Sequence, residues 1–342
     1  MNVEYKFGSI QEYVESNSLL DDASDEQFEK FVSGVAEKFL ERNIELSSET
    51  LELRKEYLIR LWRYRGNTYN LFEVYIDSYF EIAAMYRKQA LSTETAQNAR
   101  FAALTQLHAK SVLVLKEIQA LLESGFPDGA MARWRTLHEL AVFSCIIESC
   151  SESANFYLLS EHINNAKSAR CYSEHLSSDS YQPYTPEELA EINEAEAEAI
   201  KLVGGLNTKE ENFWAIPYLK TKGYSGRPTF YELEQHTDMG QFRPYYKLAC
   251  EKVHAPANLE YGSLATTNNE NVGFVVNPSH YGHEVPIEMA AVSSMITFSK
   301  FLELDEPSVD SCVFLHLINI TKDRLIESAF SDPNGNDLSK KR

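Results

Sequence analysis

The sequence predicts an all-α, multi-helix bundle with one long loop near 256–284. Nearly every long segment repeats its apolar residues at three- and four-residue steps, cap and breaker residues separate those segments, and the two-residue alternation of a half-buried strand is almost absent. Phe28, Phe31, Val32, Val35, Phe39 and Leu40 form one stripe within 25–46, and Ser47 and Ser48 are expected to break the pattern and offer an N-cap. The next pattern, 50–89, runs through Leu58, Leu61, Trp62, Tyr69, Phe72, Tyr75, Ile76, Tyr79, Phe80 and Ala83, and Gly66 leaves it as one long helix or two. Ser92 and Glu94 open a helix through Leu104, Leu107, His108, Val112, Leu115, Ile118 and Leu122 that stops at Gly125, a natural left-handed C-cap. Pro127 and Asp128 start the following helix, about 129–150. Its second half, with LAVFSCII, is almost wholly apolar, which predicts cover on several sides.

Residues 153–176 carry a further helix with Lys167 and Arg170 on its polar face, and SSDSYQPY is a linker. Thr185-Pro186-Glu187-Glu188 then combines an N-cap, a first-position proline and a capping box. The helix it opens holds six Glu and no basic residue between 187 and 200, a solvated face or a docking surface for a basic partner. From 204 to 242 the order is irregular, with a short helix starting at Thr229, where Glu232 stands at capping-box spacing. Helices are expected over 243–255, 286–303 and 310–330. The loop 256–284 is long enough to be a lid or an interface element, and a short strand pair around Val272 to Val276 is the one place for β structure. The tail SDPNGNDLSKKR should fray. These elements group as an N-terminal helical region, 1–91, a core, 92–304, and a C-terminal helix with its tail, 305–342. The aromatic-rich helix 69–80 offers more apolar surface than one groove needs and predicts a homodimer.

Composition bounds the function. Of 342 residues, 44% are hydrophobic and 24% charged, the balance of an ordered globular chain and not of a disordered or collagen-like one. Thirty-two Lys and Arg against 51 Asp and Glu give −19, a field that repels nucleic acid unless a local basic site overcomes it and that suits a basic protein partner. No leader is expected at the acidic N-terminus. No membrane span is expected either, the longest nearly uncharged apolar stretch being taken as 140–147, far short of roughly 20 residues. Five cysteines, odd in number and without a CxxC, fit reduced thiols in the cytoplasm. No Walker lysine loop, GxGxxG, GxSxG or HExxH is present, and no cofactor or metal is expected. His280 and His283 have a metal-like gap, without a Cys or Asp at a diagnostic spacing. His108, on an apolar face, reads as a satisfied core histidine. Arg54, Lys55, Arg60, Arg63 and Arg65, interleaved with aromatics, read as a solvated face, or as a track for a phosphate backbone.

One polar constellation carries chemistry. On a helix, Arg135, His138 and Glu139 share one sector, whereas Arg133 stands five residues from His138 and must swing its long side chain round. Residues 125–141 read GFPDGAMARWRTLHELA, in which Arg135, Leu137 and Glu139 match a glycine-started helix with an Arg-x-Leu-x-Glu core; Tyr245, Glu251 and His254 match a second helix ending in Tyr-Arg-x-x-Ser-Glu-x-x-His. Over 92–304 the chain thereby resembles an uncharacterised bacterial family of helical proteins, known only as a domain of unknown function. Cys250 stands where that family has serine, which weakens a role needing a hydroxyl, and Ala255 and Pro256 replace the small residues after the histidine.

Such proteins also resemble the HEPN superfamily, which is all-helical, often dimeric, and rich in metal-independent RNases with Arg-x(4–6)-His; Arg133 to His138 fits that gap. The resemblance implies a bacterial defence or toxin–antitoxin setting and an endoribonuclease acting on RNA in a local cleft. His138 would then move the proton, with His254 as the second titrating group, while Arg133 or Arg135 neutralises the phosphorane. Two alternatives stand beside it. In one, Glu139 holds Arg135 and His254 in a buried structural network of a non-catalytic interaction or sensor module; in the other, the sector lines a small-ligand or nucleotide pocket.

Overall fold

Ser24 starts the longest helix with a reciprocal cap: its backbone N–H donates to Gln27 Oε1 and the Gln27 N–H to Ser24 Oγ. The computed structural model describes residues 24–175, 184–254, 263–265, 277–306 and 308–331, without the side chains of 45 and 46. Residues 177–183 of the SSDSYQPY linker, the strand pair expected around 272–276, most of the 256–284 loop and the tail beyond 331 lie outside the described residues. Ten α-helices and no strand occur among the described residues, an all-α architecture as expected.

Helix α1, Asp25–Ala90, runs unbroken for 66 residues, so neither Ser47–Ser48 nor Gly66 ends it. Ser47 Oγ donates back to the Ile44 carbonyl, the intrahelical bond that lets serine sit inside a helix. At Gly66 the local penalty of about 1 kcal/mol is outweighed by its neighbours. Arg65 donates to the Ala329 carbonyl and to Glu284, Asn67 donates to Ser328 Oγ, and Thr68 bonds Ser328. Arg65 is therefore buried, at 5% exposure, and is not part of a solvated basic stripe.

The chain divides into two compact units, 1–63 and 64–342. The second takes in 64–91, which the sequence pattern groups with the N-terminal region. Within the first unit, Lys55 pairs with Glu52 and Arg60 with Glu56, exposed pairs one turn apart.

In the second unit a 3₁₀ turn, Glu94–Gln97, capped by Thr93, precedes α2, Ala99–Glu123, whose cap is Asn98 and not Ser92. Gly125 takes φ +84°, the left-handed stop its position predicts, and Pro127 opens α3, Pro127–Ser149. Helix α4 is Ser151–His175 and α5 is Pro186–Val203, with the Thr185–Glu188 capping box formed. Three short helices follow: α6, Ile216–Thr221; α7, Phe230–His236, capped by Thr229; and α8, Arg243–Val253. Helices α9, Glu284–Leu302, and α10, Val309–Phe330, complete the order.

Helix α3 is the hub: it packs on α2, α9 and α8, while α9 also packs on α2 and α10. By length and composition α9 could cross a membrane, although no span is expected from the sequence, and its apolarity is used in this core, where it is mostly buried. Trp134 of α3 is wholly buried and donates its Nε1–H to the Met289 carbonyl and Ser293 Oγ of α9.

Tyr69, Phe72, Tyr75, Ile76 and Tyr79 are all fully buried inside the unit, and of the set offered for a dimer only Phe80 is exposed. Their hydroxyls find partners: Tyr75 with Ser294 at 2.7 Å and Tyr79 with Ser111 at 2.6 Å. Aromatics spaced three and four residues apart thus form a thick seam within one chain. The basis for the homodimer expectation is used up there.

Candidate functional site

The register of α3 sends its polar groups to two sides. Arg133 turns toward α2, where it pairs with Glu117, and it donates to Thr136 Oγ1 of its own helix at 3.0 Å. Arg135, His138 and Glu139 turn toward α7 and α8, as their spacing predicts. The structure therefore separates Arg133 from His138.

His138 has no exposed surface, and neither has Glu234 of α7. The His138 Nε2 lies 2.8 Å from Glu234 Oε1, and Arg243, at the start of α8, donates to Glu234 Oε2 at 2.9 Å. The imidazole is enclosed by the rings of Trp134, Phe230, Phe242 and Tyr246, with centroids 5.1–5.9 Å away. Its Nδ1 is buried without a hydrogen-bond partner among the described residues.

Closer to the surface, Tyr246 of α8 donates its hydroxyl to Glu139 Oε1 at 2.6 Å and accepts from Arg135 Nε at 3.0 Å. Arg135 also pairs with Glu139 at 3.1 Å, both about one-third exposed. The guanidinium carbons of Arg135 and Arg243 stand 5.4 and 5.2 Å from the Tyr246 ring centroid. Burial, and then the Glu139 carboxylate, push the Tyr246 hydroxyl well above its ordinary pKa, so it stays protonated and donating. Burial also raises the Cys250 thiol, against the pull of Arg135 and Arg243, which favours its neutral form.

His254 sits at the C-cap of α8 with its side chain exposed. Glu139 therefore holds Arg135 and Tyr246, not Arg135 and His254, and the buried carboxylate is Glu234. Glu234, Arg243, Tyr246 and the ring enclosure were not legible beforehand. The seven-residue α7 is too short to show a period, and nothing local distinguishes buried Glu234 from Glu232.

The other histidines are occupied differently. His283 is fully buried, with Nδ1 3.0 Å from the Tyr69 hydroxyl and Nε2 2.9 Å from the Ser279 carbonyl, so neither nitrogen is open to a metal. Among the described residues no group of three or more His, Cys, Asp or Glu is arranged to hold a metal ion. His108 is buried, but its Nε2 has no partner among the described residues and so is not satisfied.

The sequence model of a family of unknown function, DUF5677, matches residues 101–271, half of the chain, and spans α2, α3 and α8. No curated protein and no solved structure matches.

Proposed function

Since the chain belongs to DUF5677, a family of unknown function that supplies position without chemistry, we propose from the geometry that it is a non-catalytic helical interaction module for a basic protein partner. Its Arg/His/Glu cluster holds α7 and α8 on α3. The observation that carries this is the complete burial of His138, bonded to Glu234 and ringed by four aromatics, with Arg133 turned to another helix and His254 at the exposed end of α8. An acid–base group for RNA cleavage must come within about 3 Å of a phosphodiester's 2′-hydroxyl, and no part of this imidazole reaches the surface.

The docking face is α5. Arg170 grips Glu196 through two bonds, at 2.6 and 2.8 Å, and ties α5 to α4. Glu187, Glu188, Glu191, Glu194 and Glu198 remain exposed, a local concentration of the chain's −19 that attracts a basic surface over a Debye length of about 10 Å. As its setting we propose bacterial defence or a toxin–antitoxin pair, which is what the resemblance of the sequence to HEPN proteins implies.

One observation favours the endoribonuclease alternative: a carboxylate orients one nitrogen of His138 and the other is unpaired, the arrangement of an oriented base. A single assay decides. Wild type and His138→Ala are incubated with mixed single-stranded and transfer RNA, and both are melted. The module predicts no cleavage by either and a lower melting temperature for the variant. Cleavage by wild type alone, leaving 2′,3′-cyclic phosphates and unaffected by EDTA, overturns it. A charge-reversed variant at Glu187, Glu191 and Glu194 should lose low-salt capture of a basic partner that wild type retains.

A further inference from the structure

Helices α1 and α2 enclose a cleft of about 480 Å³, within the range that takes small ligands. Phe80 and Val112 line it together with Phe301 of α9, and Arg87, Thr105, Gln106 and His108 are its polar lining residues. His108 is stacked on Tyr79, centroids 4.4 Å apart and planes 18° apart, and on Phe301 at 5.6 Å. The ring is thereby fixed, and it is only 6% exposed.

Two of these lining residues, His108 and Arg87, carry unused polar groups. His108 Nε2 is buried with no partner among the described residues, which is destabilising for a polar atom unless something completes it. Arg87 is exposed, and its guanidinium has no ion pair or hydrogen bond among the described residues. Burial lowers the His108 pKa to about 4, against a weaker opposing effect of the Tyr79 backbone, so the imidazole is neutral at pH 7. With its proton on Nδ1 it offers the ligand a lone pair.

We propose that the cleft binds a small flat apolar carboxylate carrying one hydrogen-bond donor. The ring lies among Phe80, Val112 and Phe301, the carboxylate pairs with Arg87, and a hydroxyl or ring N–H donates to His108 Nε2. A cation is disfavoured by Arg87, and a sugar-like ligand by the apolar wall.

The test uses the full chain and three probes: indole-3-acetate, phenylacetate, which lacks the donor, and indole, which lacks the carboxylate. Binding is read by calorimetry and by the His Cε1–Hε1 NMR resonances. Indole-3-acetate should bind saturably at one site, about fivefold or more tighter than phenylacetate and about tenfold or more tighter than indole. His108→Phe keeps the stacking and should erase the preference over phenylacetate. Arg87→Gln, at an exposed position that does not threaten the fold, should erase the preference over indole. No saturable binding by wild type at about 5 mM, or preferences that survive both substitutions, overturns the proposal. Should His108→Phe fail to fold, the probe series with Arg87→Gln still decides.

Discussion

Removing the Glu234 carboxylate should loosen the attachment of α7 and α8 to α3 more than any other single truncation in the cluster. Glu234 is fully buried and takes two charge-assisted contacts, from His138 at 2.8 Å and Arg243 at 2.9 Å. In Glu234→Ala, His138 is left with neither nitrogen bonded and Arg243 with no carboxylate. Breaking such a buried pair costs about 3–5 kcal/mol. Arg243 is 28% exposed and regains some water, which places the expectation near the lower end, about 3 kcal/mol. Glu139, assigned the same role by spacing alone, is 27% exposed, and its partner Arg135 is 32% exposed. Glu139→Ala should therefore cost only about 1 kcal/mol, mostly the Tyr246 hydrogen bond. For a unit of this size the two melting temperatures should fall by about 6–12 °C and about 2–4 °C. Urea unfolding followed by far-UV circular dichroism gives the free energies directly, and a cycle with His138→Ala isolates the pair. A Glu139→Ala penalty equal to or larger than that of Glu234→Ala would refute the assignment.

Acid should destabilise the fold through its buried histidines. Burial holds His108 at a pKa of about 4, below its ordinary 6.5, so between those values the unfolded chain takes a proton that the folded chain refuses, and stability falls as pH falls through the window. At pH 5 this amounts to about 2 kcal/mol for His108; urea midpoints near pH 7.5 and pH 5 should show His108→Phe losing less than wild type, and equal losses would remove His108 from the account. His283, held at about 4 by burial first and by the nearby Arg65 in addition, should act with the same sign. Arg65→Met should cost about 3 kcal/mol, since it leaves Glu284, itself only 14% exposed, without its partner and frees the Ala329 carbonyl near the end of α10. Calorimetry checks this, and a change within about 0.5 kcal/mol would mean that Met packing replaces the ion pair.

What was legible along the chain is what neighbours within one turn decide. The Thr185–Glu188 box, the Thr229 cap, the stop at Gly125 and the Arg135–Glu139 pair all join residues no more than four apart, and all are formed. Ser47–Ser48 and Gly66 look like breaks by the same local logic. They fail as breaks because a serine can bond its own helix and because Arg65, Asn67 and Thr68 are anchored to the far end of the chain, some 260 residues on. The aromatic run 69–80 was legible as apolar surplus, yet whether its cover is another copy or the chain's own α2 and α9 is not a property of the run. The partners that give the polar cluster its meaning are likewise distant: Glu234 is 96 residues from His138, and Tyr246 is 107 from Glu139. By itself the sequence determined that the chain is helical, several of the caps and the sector on α3 from which Arg135, His138 and Glu139 project, since these follow from backbone geometry and bonds across a single turn. Only the tertiary structure decided that His138 is enclosed, that Glu234 and not Glu139 is the buried carboxylate, and that His108 is left with an unpaired nitrogen beside a cleft. Burial and pairing depend on which side chains the packing of distant helices brings within 3 Å, and no local pattern encodes that.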